Sequence, residues 1–325
     1  MMFYNGRLLK NSFLSIFFNK YIPICTAFAV TYRCPIHCPM CRTVKAASPE
    51  LDLDQIEILF KHLKSQGTHF LHLTGGEPLI RDDIVEISQL ARSSGFYVTL
   101  NTSGGLLEEK LELLESNIDR FIVSLDGGRE LHDSNRGPGA FDKTISALRK
   151  IHATGSKAII ETVFGEYNKR DIPSLILLSK ETETPVKFFP IVLDDTFSSR
   201  ERSMFEPTED TRKEVSRHLL EERKRNDLIF MTDNAIKNLH SSADLKRRSC
   251  DLIYLRITPS GGLKRCSLTA DSEAIAVDLR NESSFAAALF NMPSPGCKEP
   301  LLFCLEMSNI LNFKSPSIVR ILKKL

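Results

Sequence analysis

From residue 26 to about 192 the chain alternates short apolar runs with stretches whose apolar positions recur at helical spacing. The runs "TAFAVTY" (26–32), "FLHLT" (70–74), "YVTLNT" (97–102), "FIVSLD" (121–126), "AIIETVF" (158–164) and "VKFFPIV" (186–192) predict six strands. Amphipathic segments separate them: 54–67, 82–95, around 106–116, 141–155 and around 171–180. Three of these end at Gly67, Gly95 and Gly155, the residue type that adopts a left-handed cap without a steric penalty. Strands apolar on both faces and separated by helices imply a parallel sheet covered by helices. Six such units suit an open or partial (β/α)6 barrel better than a closed eight-stranded one. In such folds the chemistry gathers where strands end and loops begin.

The polar motifs fall at those ends. "CPIHCPMC" (34–41) follows the first strand, "GGEP" (75–78) the second, "NTSGG" (101–105) the third and "SLDGG" (124–128) the fourth, so all four converge on one rim. A C-x3-C-x2-C pattern would arise by composition alone in about 0.005 of chains of this size. Three thiolates are soft ligands, suited to zinc or to an iron–sulfur cluster. A structural zinc site would need a fourth donor, and His37 is available by position.

The chain has 325 residues with 42% apolar content, enough for a substantial core and long enough for a barrel with an appendage. Its 43 basic and 41 acidic residues leave a formal charge of +2, so no global field points to nucleic acid as a partner. The N-terminal stretch is interrupted by Lys10, Asn11, Asn19 and Lys20 and reads neither as a signal peptide nor as a membrane span. Residues 8–20 present one apolar helix face, expected to pack on the barrel, with membrane-surface docking the alternative. Clustered thiols without a secretion signal fit a reducing, cytoplasmic setting. The expected units are an N-terminal helical segment (1–25), a barrel (26–195), a helical linker (196–249) and a C-terminal extension (250–325).

Cys34, Cys38 and Cys41 after a first strand, followed by Gly75, Gly76, Glu77 and Pro78 after a second, resemble the radical S-adenosylmethionine (radical SAM) enzymes. The resemblance implies that the three cysteines hold a [4Fe–4S] cluster whose fourth iron binds the amino and carboxylate groups of S-adenosylmethionine. One electron passed to the sulfonium then yields methionine and a 5′-deoxyadenosyl radical, which abstracts a hydrogen from the substrate. It further implies a low-potential donor such as a flavodoxin or ferredoxin. Carried over residue by residue, the glycine backbone of "GGEP" approaches the ligand, Glu77 accepts from the methionine ammonium, and Pro78 stiffens the turn. Ser124 matches a ribose contact, with Asp126 beside it either functional or a turn cap. Asn101, Thr102 and Ser103 offer polar contacts to the cofactor or an ordinary turn. Arg136 matches an arginine directed at the methionine carboxylate, with a surface role as the alternative. Met40 departs from the family, which often places an aromatic residue before the third cysteine.

Cys250 and Cys266 flank "YLRITPSGG", a strand turning back on itself, and Cys297 and Cys304 follow. The spacing resembles the SPASM and twitch extensions, which implies one auxiliary iron–sulfur cluster. A zinc site is the alternative. Cys25 is expected in the core. His69, His72 and Glu161 are expected either to line the cavity or to be satisfied core groups, and Asp194 and Asp195 could supply a base. The tail "RILKKL" lacks the glycine ending of the GTP-cyclising molybdopterin enzymes, and no peptide-recognition or cobalamin domain is expected before the first strand. The expected substrate is a peptide or small metabolite. A nucleoside or sugar substrate, or a non-catalytic zinc- or cluster-binding protein, are the alternatives.

Overall fold

A computed structural model describes residues 6–18, 20–45, 48–193, 196–239, 253–265 and 274–292. Cys250, Cys266, Cys297, Cys304, Asp194 and Asp195 lie outside the described residues.

The six expected strands are present: β1 (Cys25–Thr31), β2 (Phe70–Gly75), β3 (Tyr97–Thr102), β4 (Arg120–Ser124), β5 (Ala158–Phe164) and β6 (Val186–Pro190). All neighbouring pairs among them are parallel, running from β1 at one side to β6 at the other. The connecting helices are α1 (Gly6–Phe18) before β1, then α2 (Leu53–Gln66), α3 (Ile84–Ser93), α4 (Leu107–Leu114), α5 (Arg129–Arg136), α6 (Ala140–Ala153) and α7 (Ile172–Glu181). α2 starts at a reciprocal cap, in which Asp52 Oδ1 accepts from Gln55 N at 2.8 Å and Gln55 Oε1 accepts from Asp52 N at 3.0 Å. It ends at Gly67, whose φ of 107° lies in the left-handed region. Gly95 and Gly155 follow their helices with φ values of 77° and 76°.

The main core lies between the sheet's outer face and these helices. Phe28, Leu71, Leu73, Val98, Leu100, Phe121 and Val123 from the strands meet Ile56, Leu59, Phe60 and Leu63 of α2, Ile87 of α3 and Leu148 of α6, all fully buried. Each such side chain contributes about 1.5–3 kcal/mol relative to exposure.

Residues 196–239 carry α8 (Ser199–Phe205), α9 (Glu209–Arg223) and α10 (Asp233–Lys237). They also cover the free edge of β6: Val186 N donates to Leu228 O at 2.8 Å, and Phe230 N donates to Val186 O at 2.7 Å. After them the expected hairpin forms from β7 (Tyr254–Ile257) and the short β8 (Leu263–Lys264). β7 pairs parallel with β1, giving the order β6-β5-β4-β3-β2-β1-β7-β8 in one open, eight-stranded sheet. Leu255, Ile257 and Leu263 join the main core, together with Leu279 and with Phe285 of α11 (Glu282–Asn291). Residues 253–265 therefore continue the barrel sheet.

α1 sits against the end of α2. Ser15 is buried and the Asn11 amide lies beside Gly67. Phe13 and Phe18 remain 51% and 68% exposed and contact each other edge-on. No described helix is long and apolar enough to cross a membrane.

Candidate active site

The loop that follows β1 carries Cys34 and Cys38, both half-buried, and Cys41, which is exposed; all three are free thiols. A turn closes between the last two, Cys41 N donating to Cys38 O at 3.0 Å. Glu50 clasps the ends of this loop. It accepts from Arg33 Nε and Nη2 at 2.9 and 3.0 Å and from the Thr31 hydroxyl at the end of β1. Burial pushes the Glu50 carboxyl up, but Arg33 and Thr31 outweigh it and hold the group below its ordinary value. Buried Arg81 adds bonds to Val30 O and Leu51 O at 2.9 and 3.0 Å while its fork pairs with Asp83.

The "GGEP" loop packs directly on the first one. Gly76 N donates to Thr31 O at 2.8 Å, and Glu77 N to Arg33 O at 3.0 Å. A Cβ would lie 2.0 Å from Thr31 O at Gly75, where φ is 142°, and 2.3 Å from Arg33 O at Gly76. The two glycines are thus required by the approach of two backbones. Pro78 opens a short 3-10 turn, Pro78–Ile80. Glu77, 1% exposed, accepts four bonds: Leu79 N (3.2 Å) and Thr102 Oγ1 (2.9 Å) at Oε1, and Ser103 N (2.8 Å) and Ser103 Oγ (2.7 Å) at Oε2. Its carboxylate ties the end of β2 to the end of β3, a role the motif alone does not disclose.

Arg136, at the end of α5, is not a surface arginine. Its Nε and Nη2 donate to Asp126 Oδ2 and Oδ1 at 2.7 and 2.9 Å, and both side chains are largely buried. Asp126 accordingly makes a buried ion pair and does not cap its turn. Burial raises its carboxyl, and Arg136 outweighs that effect, so it stays below its ordinary value. The Asp126 backbone N–H donates to Nδ1 of His132 at 3.2 Å, and burial lowers that imidazole to about 4, which keeps it neutral as an acceptor. Burial raises the Cys38 thiol to about 11, with the charge of Arg136 acting in the opposite direction.

The cysteine loop, the glycine loop and the Asp126–Arg136 pair border one cavity of about 820 Å³. Cys34, Cys38, Cys41, Gly75, Gly76, Glu77, Asn101, Ser124 and Arg136 all line it; Pro78 is buried and does not line it. Asn101 Nδ2 donates to Glu161 Oε1 at 3.3 Å, while its Oδ1 is buried without a hydrogen-bond partner. Glu161 also lines the cavity and pairs with Lys187 Nζ at 2.6 Å. Burial raises the Glu161 carboxyl and Lys187 more than compensates, so the carboxylate is favoured. His72 instead bonds Thr99 and is lowered to about 4 by burial, the satisfied core group that was one of its two expected roles. Cys25 is buried, as expected.

Met40 packs with Ile191, Leu193, Phe197 and Phe205 in a small apolar cluster of its own. Beside it Arg42 pairs with Glu201 of α8, with its guanidinium 4.3 Å over the Phe197 ring. His37, the fourth donor a zinc site would use, is exposed and does not line the cavity. Among the described residues no three His, Cys, Asp or Glu side chains form a group that could hold a single metal ion.

The sequence reading missed Glu50, Arg42, Lys187, Arg256 and Lys264, of which Arg42, Arg256 and Lys264 line the cavity. A charged residue inside an apolar strand run, as in "VKFFP" and "YLRI", is the signal that would have found Lys187 and Arg256.

The Radical SAM superfamily profile matches residues 28–178, the span that holds every one of these strand-end motifs. This stretch, just under half of the chain, is a radical SAM domain. Curated relatives of this chain include an AdoMet-dependent heme synthase of Methanosarcina barkeri, 32% identical over 49% of this chain and 48% of its own length. A PqqA peptide cyclase of Ruegeria pomeroyi is 34% identical over 49% of this chain and 44% of its own length. The chain thus spans about half the length of these curated relatives. A PqqA peptide cyclase of Rhizobium meliloti aligns more widely, at 25% identity over 82% of this chain and 73% of its own. Among solved structures, Streptococcus suis SuiB bound to S-adenosylmethionine shares the fold with a TM-score of 0.65 at 14% identity, covering 94% of this chain and 76% of its own. A structure of anSMEcpe with bound AdoMet and a peptide gives 0.66 at 17% identity, over 83% and 80%.

The match over residues 28–178 implies a [4Fe–4S] cluster and S-adenosylmethionine, and the residues fit both. Three free thiols on one loop open on one cavity, giving a soft donor set one short of a closed site. The unpartnered Asn101 Oδ1 is an acceptor for a bound ligand's donor.

Proposed function

We propose that the protein cleaves S-adenosylmethionine reductively and uses the product to take a hydrogen atom from a peptide substrate. The observation that carries this reading is the convergence of the three thiols and the ends of β2, β3 and β4 on one cavity. Cys34, Cys38 and Cys41 would hold the [4Fe–4S] cluster, and Gly75, Gly76, Glu77, Asn101, Ser124 and Arg136 would border S-adenosylmethionine. When bound, the pair supplies one-electron cleavage of the sulfonium to a 5′-deoxyadenosyl radical.

The chain's own residues do the positioning. Glu50 and Arg81 hold the ends of the cysteine loop, and Glu77 locks the glycine loop to β3. Asp126 fixes the direction of the Arg136 fork, whose charge lies near Cys38. The apolar cluster around Met40 keeps water from that side of the cavity.

The peptide class is supported by the peptide cyclase of R. meliloti, which aligns over 82% of this chain. A small-metabolite substrate is the second reading, favoured by the 32% identity to the heme synthase. Cys250, Cys266, Cys297 and Cys304 would hold an auxiliary iron–sulfur cluster. The β7–β8 ladder, with Arg256 opposite Lys264, supports this by drawing together the two stretches of chain that lead to Cys250 and Cys266. A flavodoxin or ferredoxin of low potential would supply the electron, in the cytoplasm.

The test is anaerobic reconstitution followed by iron analysis and incubation with dithionite and S-adenosylmethionine. About eight irons, two [4Fe–4S] clusters, are expected, together with 5′-deoxyadenosine. Zinc in place of iron, or loaded protein that leaves S-adenosylmethionine intact, overturns the reading.

A further inference from the structure

Two walls of the cavity are joined by side chains that do not line it. Asp126 and Arg136 belong to one wall, Glu77 and Ser103 to the other, and all four border the cavity. His132 of α5 and Thr144 of α6 are buried behind them. His132 stands one helical turn before Arg136, so both side chains reach the same residue from one face of α5. Arg136 takes the Asp126 carboxylate, and His132 Nδ1 accepts from the Asp126 backbone N–H at 3.2 Å. On its other side His132 Nε2 lies 3.2 Å from Thr144 Oγ1, which donates to Ser103 O at 3.0 Å. Ser103 in turn donates its N–H and its hydroxyl to Glu77 Oε2 at 2.8 and 2.7 Å.

These bonds admit one arrangement of protons. Nδ1 receives the Asp126 backbone proton, so it carries none, and the ring's single proton sits on Nε2. Nε2–H then donates to Thr144 Oγ1, whose own proton is committed to the Ser103 carbonyl. An imidazolium, or the other neutral tautomer, would set N–H against N–H at Asp126. A buried chain in which every donor meets an acceptor resists rearrangement, because moving one member strands the next. Its two ends are anchored as well. Asp126 O accepts from Asn168 Nδ2 at 2.9 Å, and α6 comes so near the end of β3 that a Cβ on Gly104 would lie 3.3 Å from Thr144 Cα.

We infer that His132 and Thr144 are positioning residues that hold the arginine wall and the glutamate wall at the spacing S-adenosylmethionine requires. The inference deepens the proposed function and rests on it for the identity of the ligand. In that reading Arg136 and Glu77 border the same molecule, and a ligand gripped from two sides loses affinity when those sides shift relative to each other. His132 acts on it through Asp126 and Thr144.

The test titrates S-adenosylmethionine calorimetrically into reconstituted protein without a reductant, so that no cleavage occurs, with iron content and urea midpoint measured on the same samples. His132→Ala and Thr144→Val should each weaken binding about tenfold with iron retained, the scale on which partners behind a ligand-holding group act. Thr144→Ser keeps the hydroxyl and should bind as the wild type does. Because both residues act in one chain, the double variant should fall no more than about twofold below the weaker single variant. Thr144→Val alone decides the matter should His132→Ala fail to fold. Unchanged affinity in Thr144→Val, or losses that multiply to about a hundredfold in the double variant, overturns the inference. Affinity lost only in proportion to lost iron would assign the effect to the cysteine loop and overturns it as well, as does a lower urea midpoint with affinity intact, or wild-type protein that binds no S-adenosylmethionine. Protein that binds it as described but never forms 5′-deoxyadenosine on reduction would sink the proposed chemistry and leave the link between the walls standing.

Discussion

Glu77 gathers four donors on two oxygens while almost fully buried, so its removal leaves the Thr102 and Ser103 groups without an acceptor. Glu77→Ala is expected to destabilise the fold by about 2–4 kcal/mol, read as a lower urea midpoint. An unchanged midpoint would show that the carboxylate is dispensable to the framework and held for ligand alone. The "GGEP" motif marked this residue, yet its partners come from the end of another strand. Only the parallel register of β2 on β3 brings them together, and no local pattern encodes that register. Arg136 was visible for a similar reason and incompletely: an arginine in "SNRGPG" says nothing of Asp126, whose pairing with it depends on α5, a helix of eight residues that the periodicity did not reveal.

Between elements, the contacts that matter are those of loop on loop. At Gly76 an added Cβ would lie 2.3 Å from the carbonyl oxygen of Arg33, one residue before Cys34. Gly76→Ala should therefore push the glycine and cysteine loops apart, costing about 1–3 kcal/mol and lowering the iron retained after reconstitution. Full iron content in that variant would count against the packing argument. On the far side of the barrel Glu166, after β5, accepts from Lys169, from the backbone and hydroxyl of Thr208, and from Thr211, pinning the start of α9. Burial opposes ionisation there, but these donors outweigh it and bring the carboxyl from 4.5 down to about 2. A folded value below the unfolded one means that the stabilisation is complete above pH 4.5 and is lost as pH falls toward 2. The stability gap between wild type and Glu166→Gln should accordingly close across that window in urea titrations, and a gap independent of pH would contradict the assignment.

Over the whole molecule, the apolar runs located all six barrel strands because each strand puts an unbroken set of buried residues on the helix side, even where β2 and β3 alternate with half-exposed residues on the cavity side, against the expectation of strands apolar on both faces. The glycine stops at 67, 95 and 155 were legible because a left-handed cap is a local, one-residue demand. The attachment of β7 beside β1 was not legible, since "YLRI" pairs with a strand more than two hundred residues earlier in the chain. That attachment places hairpin and barrel in one shared hydrophobic core. Ile257→Ala is expected to cost about 2–4 kcal/mol and to shift a single calorimetric transition, whereas an independent extension would melt on its own and leave the barrel's transition in place. The three thiols were the most informative feature of the sequence, and the chemistry they imply also permits the most direct test. Anaerobically reconstituted protein and its Cys38→Ala variant are to be incubated with dithionite and S-adenosylmethionine, and 5′-deoxyadenosine counted by mass spectrometry. Formation by the wild type and none by the variant is the expected result; no product from cluster-loaded wild type, or equal product from both, would contradict the cysteine loop's role as the seat of the reaction.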